Sequence, residues 1–236
     1  MKNYLLSILL PSALLFSAAD ANPPTKKSEL PVTAERQARL TPTIVLNALK
    51  DGNARFVAGA PTSFNAEQSI LASSEGQFPK AYILSCVDSR VPAEMVFDQG
   101  IGDIFVGRVA GNVENEDQLG SMEFAAAVGG IKLIVVMGHE ACGAVKGACD
   151  HVELGNLTLL LEKIAPAVKS VEGFKEKHRT SKNAAFVEAV VKNNVVRTVA
   201  DIRDRSQVLN KMEAEGKIMI VGAYYSLKDG SVVFMD

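Results

Sequence analysis

The run Lys132-Leu133-Ile134-Val135-Val136-Met137 narrows most sharply what this chain can fold into. After the lysine it has no polar residue on either side of a strand's pleat. A strand of that kind is buried on both faces, which suits a parallel sheet covered by helices above and below. Three weaker runs share the character: Ala81-Tyr82-Ile83-Leu84, Asp103-Ile104-Phe105-Val106 and Lys217-Ile218-Met219-Ile220-Val221-Gly222-Ala223. Between them, apolar residues recur at helical spacing. Leu119 to Val128 is Ala-rich, and Met122, Ala125, Ala126 and Gly129 offer a close-packing face. Leu157 to Val171 is a second such stretch, and Ala184 to Leu209, with breaks, a third. Strands alternating with helices predict an α/β fold, a mainly parallel β-sheet flanked by helices.

Upstream, Thr41-Pro42 predicts a helix start, an N-cap followed by a favoured first helical residue, with Asp51-Gly52 interrupting the helix. Residues 59–79 carry Gly, Pro, Ser and Asn and read as a loop region with a weak helix at best. Lys228-Asp229-Gly230, between two apolar runs, predicts a terminal hairpin.

At 236 residues and 47% hydrophobic content the chain can build one sizeable core, and residues 41–236 are taken as a single domain. The N-terminus has a different character. Lys2 precedes an apolar stretch from Tyr4 to Ala18, broken by Pro11, and Ala19-Asp20-Ala21 follows. This is the order of a secretory signal peptide, so residues 1–21 are expected to be cleaved after Ala21 and the product to be periplasmic or secreted. Residues 22–40 form a polar, Pro-containing leader. The apolar stretch is shorter than the roughly 20 residues that span a bilayer, and no Cys stands near the cleavage point, so no stable membrane anchor is expected. A net charge of -2 with 22% charged residues gives nucleic acid no basic surface, and the absence of Trp argues against a stacking platform.

Two polar clusters fall just past predicted strands. Cys86-Val87-Asp88-Ser89-Arg90 follows Ala81–Leu84, and His139-Glu140-Ala141-Cys142-Gly143 follows Leu133–Met137. In open α/β sheets the carboxyl edge is where ligands bind. If the strands are close, Cys86, His139 and Cys142 converge, and two thiolates with one imidazole make a zinc site whose fourth position stays open for chemistry. Cys142 begins a predicted helix, Gly143–Ala148, whose N-terminus favours a thiolate. Asp88 and Arg90, two apart, form a charge-assisted pair. The Asp88 carboxylate either takes the fourth position or is drawn aside by Arg90, and the sequence leaves both open.

Cys-x-Asp-x-Arg followed about fifty residues later by His-x-x-Cys-Gly resembles the signature of the β-class carbonic anhydrases. Val91-Pro92-Ala93-Glu94, Phe97-Asp98-Gln99-Gly100, Gly102 to Val106, Arg108-Val109-Ala110-Gly111-Asn112, Gly52 to Val57 and Gly222-Ala223-Tyr224-Tyr225 are also similar to that family. The resemblance covers most of residues 45–236. It implies one Zn2+ per subunit, held by Cys86, His139 and Cys142. It also implies reversible hydration of carbon dioxide to bicarbonate by zinc-bound hydroxide, and catalysis assisted by Asp88 and Arg90. Gln99 and Gly143 would contact the substrate, Gln99 across a dimer interface, and the assembly would be a homodimer or homotetramer. The family's bicarbonate-regulated branch uses a Trp that this chain lacks.

Two thiolates cancel the charge of the zinc ion, so activity is expected to rise through mildly alkaline pH. Cys149, two helical turns past Cys142, reads as a packing residue, and His151 and His178 as surface histidines. Two other readings stay open: a zinc hydrolase of carbon disulfide or carbonyl sulfide, and a zinc-binding protein without turnover. A dinucleotide-binding reading fails, since no G-x-G-x-x-G opens a helix after a first strand.

Overall fold

The computed structural model describes residues 31–235; the expected signal peptide and the first part of the leader lie outside them. Five strands form one sheet in the order β2-β1-β3-β4-β5, with β1 at Ala81–Ser85, β2 at Ile104–Arg108, β3 at Leu133–His139, β4 at Met219–Tyr225 and β5 at Val232–Met235. The first four are parallel, and β5 returns antiparallel on β4. The strongest apolar run therefore takes the central place, and every residue of β3 is buried. In register, Ile83 lies between Val106 and Val135, so one level of the core is β-branched side chains across three strands.

Helices cover both faces. On one side Val45 and Leu49 of α2 (Pro42–Val57) pack with Phe97, Ile83, Val135 and Met137. On the other, α5 (Glu116–Ala127) and α8 (Ala184–Arg205) pack on Leu84, Ile134 and Val136. There α7 (Gly155–Ser170) closes a third cluster with α8 and α6 (Gly143–Cys149). Gly138, near the end of β3, marks how close α8 comes: a Cβ there would lie 2.7 Å from Val195 and 2.9 Å from Val191. None of the helices is long and apolar enough to cross a membrane, among the described residues.

The structure departs from the sequence expectations at three places and locates a fourth feature that they left open. The helix from Pro42 runs through Asp51-Gly52 without a break. Gly52 serves a close approach, because a Cβ would sit 2.0 Å from the Phe97 carbonyl oxygen. The region 59–79 holds a helix, α3 (Ala66–Ser73), whose start is fixed by Asn65 accepting from the Gln68 N–H. A short helix, α1 (Ala34–Ala38), capped by Thr33, lies within the segment taken as leader. Its Gln37 side chain donates to the carbonyls of Pro79 and Gly129, both at 2.7 Å, and so ties it to the sheet. Finally, the break expected in 184–209 falls at Ser206. Its hydroxyl caps α9 (Gln207–Ala214) at the Leu209 N–H and bonds Glu123 at 2.6 Å. The hairpin forms as expected, with Asp229 accepting from Ser231 and Gly230 at φ 76°.

Candidate metal centre

Because β1 and β3 are neighbours in parallel register, with Ser85 beside Met137, their carboxyl ends deliver side chains to one point. Cys86 is the first residue past β1, His139 closes β3, and Cys142 caps the N-terminus of α6. Between the last two, Ala141 adopts φ 55°. A left-handed turn at a residue with a Cβ is strained, and strain of this kind collects at functional sites. The turn brings the i and i+3 side chains round to the same side as Cys86.

The ligand atoms of Cys86, His139 and Cys142 all lie within 4.8 Å of one another, and the two sulfurs are 4.0 Å apart. All three residues are buried, His139 and Cys142 completely. His139 Nδ1 lies 2.9 Å from the Glu140 carbonyl oxygen, which fixes the proton on Nδ1 and leaves the Nε2 lone pair facing the sulfurs. Nε2 is buried and has no hydrogen-bond partner among the described residues. A buried acceptor left unpaired beside two thiols is costly, and a metal ion satisfies it. The donor set, two soft sulfurs and one imidazole nitrogen, suits a soft or borderline transition-metal ion.

The contact between the two sulfurs sets their acidities apart. The hydrogen bond from Cys142 holds the Cys86 thiol well down, helped by His139 and by the Gly111 N–H at 3.4 Å from its sulfur. The same contact, with burial, pushes Cys142 up.

Asp88 lies at the rim of this group, with Oδ2 3.9 Å from His139 Nε2. Arg90 grips it from outside, Nε on Oδ1 at 2.9 Å and Nη2 on Oδ2 at 2.7 Å, and its backbone N–H adds a third bond to Oδ1. The Arg90 guanidinium beside it holds the carboxyl well below the usual range, against a smaller opposing effect of burial. Of the two arrangements the sequence left open, the structure shows Asp88 drawn to Arg90.

Residues that sequence reasoning passed over support these loops. Arg108 closes β2 and donates to the carbonyls of Cys86, at 2.9 Å, and Asp88, at 2.5 Å, pinning both ends of the Cys-Val-Asp segment. Asn194 of α8, buried, donates to the Gly111 carbonyl at 2.8 Å. Arg108 and Gly111 stand inside a quoted motif, but nothing in the spacing of α8 marks Asn194.

Gly143 is the first residue of α6, beside Cys142 and open to solvent, and a Cβ there would meet nothing within 4 Å. Gln99 is not brought to the ligand group within one chain. Its amide is tied to the carbonyls of Phe97 and Asp98 at 2.5 and 3.0 Å. It lines a separate cavity of about 260 Å³ with Arg55, Thr62 and Phe64. Its neighbour Asp98 takes φ 51° and accepts from Arg55 at 2.6 Å and Thr62 at 2.7 Å. Cys149 is buried at the end of α6, its thiol pushed up to about 11 by burial, and both His151 and His178 are exposed.

A buried Cys-His-Cys group at the carboxyl edge of a mainly parallel sheet defines an α/β protein equipped to hold a metal ion. A family model described as carbonic anhydrase matches residues 81–232. Carbonic anhydrase 2 of Mycobacterium tuberculosis is 39% identical over 203 residues, covering 83% of this chain and 93% of that protein. The carbonic anhydrase of Mycolicibacterium smegmatis is 39% identical over 197 residues, covering 81% and 92%. Among solved structures, a tetrameric β-carbonic anhydrase from Sordaria macrospora matches with a TM-score of 0.62 at 21% identity, over 82% of this chain and 97% of that one. The Coccomyxa β-carbonic anhydrase in complex with acetazolamide gives 0.61 at 22% identity, over 83% and 86%. The chain belongs to the carbonic anhydrase family, and its fold is that of the β class.

Proposed function

We propose that this enzyme hydrates carbon dioxide to bicarbonate and a proton, reversibly, at a zinc ion held by Cys86 Sγ, His139 Nε2 and Cys142 Sγ. The observation that carries the reading is the buried, unpartnered His139 Nε2 within 4.8 Å of two sulfurs. When bound, zinc supplies Lewis acidity that lowers the pKa of coordinated water from 15.7 to about 7 in histidine-rich sites.

The protein's own part lies with Asp88 and Arg90. An ionised carboxylate only accepts hydrogen bonds. Asp88, kept ionised by Arg90, takes the O–H of the attacking water at Oδ2 and turns the oxygen lone pair toward the carbon of carbon dioxide. Arg90 also restrains Asp88 from swinging inward to fill the fourth position itself. Arg108, through the Cys86 and Asp88 carbonyls, keeps the distance between ligand and carboxylate fixed. Gly143, exposed at the helix start, gives bicarbonate an unobstructed place beside Cys142.

We place the enzyme as a homodimer or homotetramer, exported with its N-terminal signal removed. The tetrameric relative supports the first, and the order of residues 1–21 the second. The test is stopped-flow carbon dioxide hydration on metal-analysed protein beside Cys142→Ser. Fast hydration with near-stoichiometric zinc, both lost in the variant, is expected. Stoichiometric zinc without hydration overturns the substrate and moves the reading to carbon disulfide or carbonyl sulfide.

A further inference from the structure

Helix α8 lies behind both ligand-bearing loops. Val191 and Val195 leave no room for a side chain at Gly138, the residue before His139. One residue from Val195, Asn194 is 3% exposed and reaches across 83 positions of sequence to donate to the Gly111 carbonyl at 2.8 Å. Gly111 in turn donates its N–H to the Cys86 sulfur at 3.4 Å.

Gly111 is an unusual residue to carry such a bond. It is held at φ 72°, ψ 14°, a conformation glycine adopts and leaves readily. A Cβ there would lie 2.5 Å from Ile164 Cδ1, so nothing bulkier can stiffen the turn from within. Its carbonyl offers the fold a handle, and a buried amide holds it. The Asn193 side chain, next in sequence, faces elsewhere and bonds the Ala167 carbonyl at 2.8 Å and the Ser170 hydroxyl at 2.7 Å.

We infer that Asn194 is a positioning residue for the metal centre, fixing Gly111 so that its N–H bonds the Cys86 sulfur. This rests on the zinc reading above. A hydrogen bond to a ligating atom orients it and tunes how strongly it donates to the metal, and loss of such a partner costs about 10–100-fold in metal affinity or activity. Asn194 touches neither metal nor substrate; it acts through one peptide.

The test compares wild type with Asn194→Asp, which keeps the shape but loses the donor, Asn194→Ala, which loses the donor without adding a charge, and Asn193→Asp as control. Zinc affinity is measured by chelator competition on each holoenzyme, and the thiolate-to-metal absorption band is recorded after cobalt substitution. Both Asn194 variants are expected to hold zinc about 10–100-fold more weakly and to shift the cobalt band, while Asn193→Asp does neither. Folded Asn194 variants with wild-type zinc affinity and cobalt spectrum overturn the inference. So does failure of both to fold while Asn193→Asp folds, which assigns Asn194 to the fold alone. A wild type that binds no zinc overturns the metal reading itself, a separate result.

Discussion

Arg90 holds both carboxylate oxygens of Asp88, at 2.9 and 2.7 Å, while one of them stands 3.9 Å from His139 Nε2. The carboxylate thus stands between the guanidinium and the place a metal on His139 Nε2 would take, and the guanidinium holds it. Arg90→Met is expected to retain zinc yet lose activity on the order of 10²-fold, as Asp88 turns inward. Asp88→Asn, which removes the acceptor charge, is expected to lose 10²–10⁴-fold, the usual size of a general acid–base contribution. Stopped-flow rates and metal analysis on the same preparations check both. The sign with pH follows from the depressed carboxyl. The pair's contribution is whole above the ordinary aspartate value of about 3.9 and disappears as pH falls through the lower folded value.

Zinc loading should expel protons. With Cys86 held down and Cys142 pushed up by their mutual contact, the metal-free site keeps one proton between two sulfurs at neutral pH. Ligation needs both deprotonated. Binding is therefore expected to release about one proton per zinc. Calorimetry in buffers of different ionisation enthalpy measures it; a heat independent of buffer would show that both sulfurs are already thiolates.

Two glycines near the site should respond in opposite ways. Gly111→Ala puts a methyl 2.5 Å from Ile164 Cδ1 at φ 72°, and left-handed strain plus overpacking is expected to cost about 2–4 kcal/mol. Gly143→Ala meets open space, and its stability should stay within about 0.5 kcal/mol. Any fall in hydration rate for Gly143→Ala then reports the substrate contact. Urea unfolding and kinetics separate the two quantities.

At high pH the tyrosines set the limit. Burial pushes Tyr82 and Tyr224 up to about 12. Unfolded, each ionises near 10, so between those values the unfolded chain has lost protons the folded one keeps. Stability is whole below about pH 10 and falls as pH rises through the folded values. Tyr82→Phe should shallow this decline, at a neutral-pH cost of about 1 kcal/mol for the lost bond to Gln118 at 2.8 Å. Absorbance titration with thermal melts across pH 9–12 tests it.

What the sequence made legible was whatever is local or patterned. The run at 132–137 announced a central strand, and Cys86, His139 and Cys142 stood out because each follows such a run. Less legible was anything decided by a distant neighbour. Asp51-Gly52 reads as a helix break until the Phe97 carbonyl is found against Gly52. The helix at Ala66–Ser73 depends on Asn65 as a cap within a stretch rich in loop formers. Gln99 lines a cavity of its own within one chain, beside the left-handed turn at Asp98 and its clamp on Arg55, and its expected contact across a dimer interface depends on a second chain. Asn194 carries no signal at all in sequence, since its meaning lies wholly in the carbonyl of Gly111.

The 4.0 Å between the Cys86 and Cys142 sulfurs has a bearing on how the enzyme is made. Two buried thiols that close need only a small movement to give up two protons and two electrons to an oxidant and join. Cys149, read from the sequence as a packing residue, is buried at the end of the same helix and is not part of the close group. On the proposed reading, in which the chain is exported and holds zinc, the metal is a protecting group as much as a catalyst. The order of events, metal first and oxidant second, decides whether a molecule is ever an enzyme.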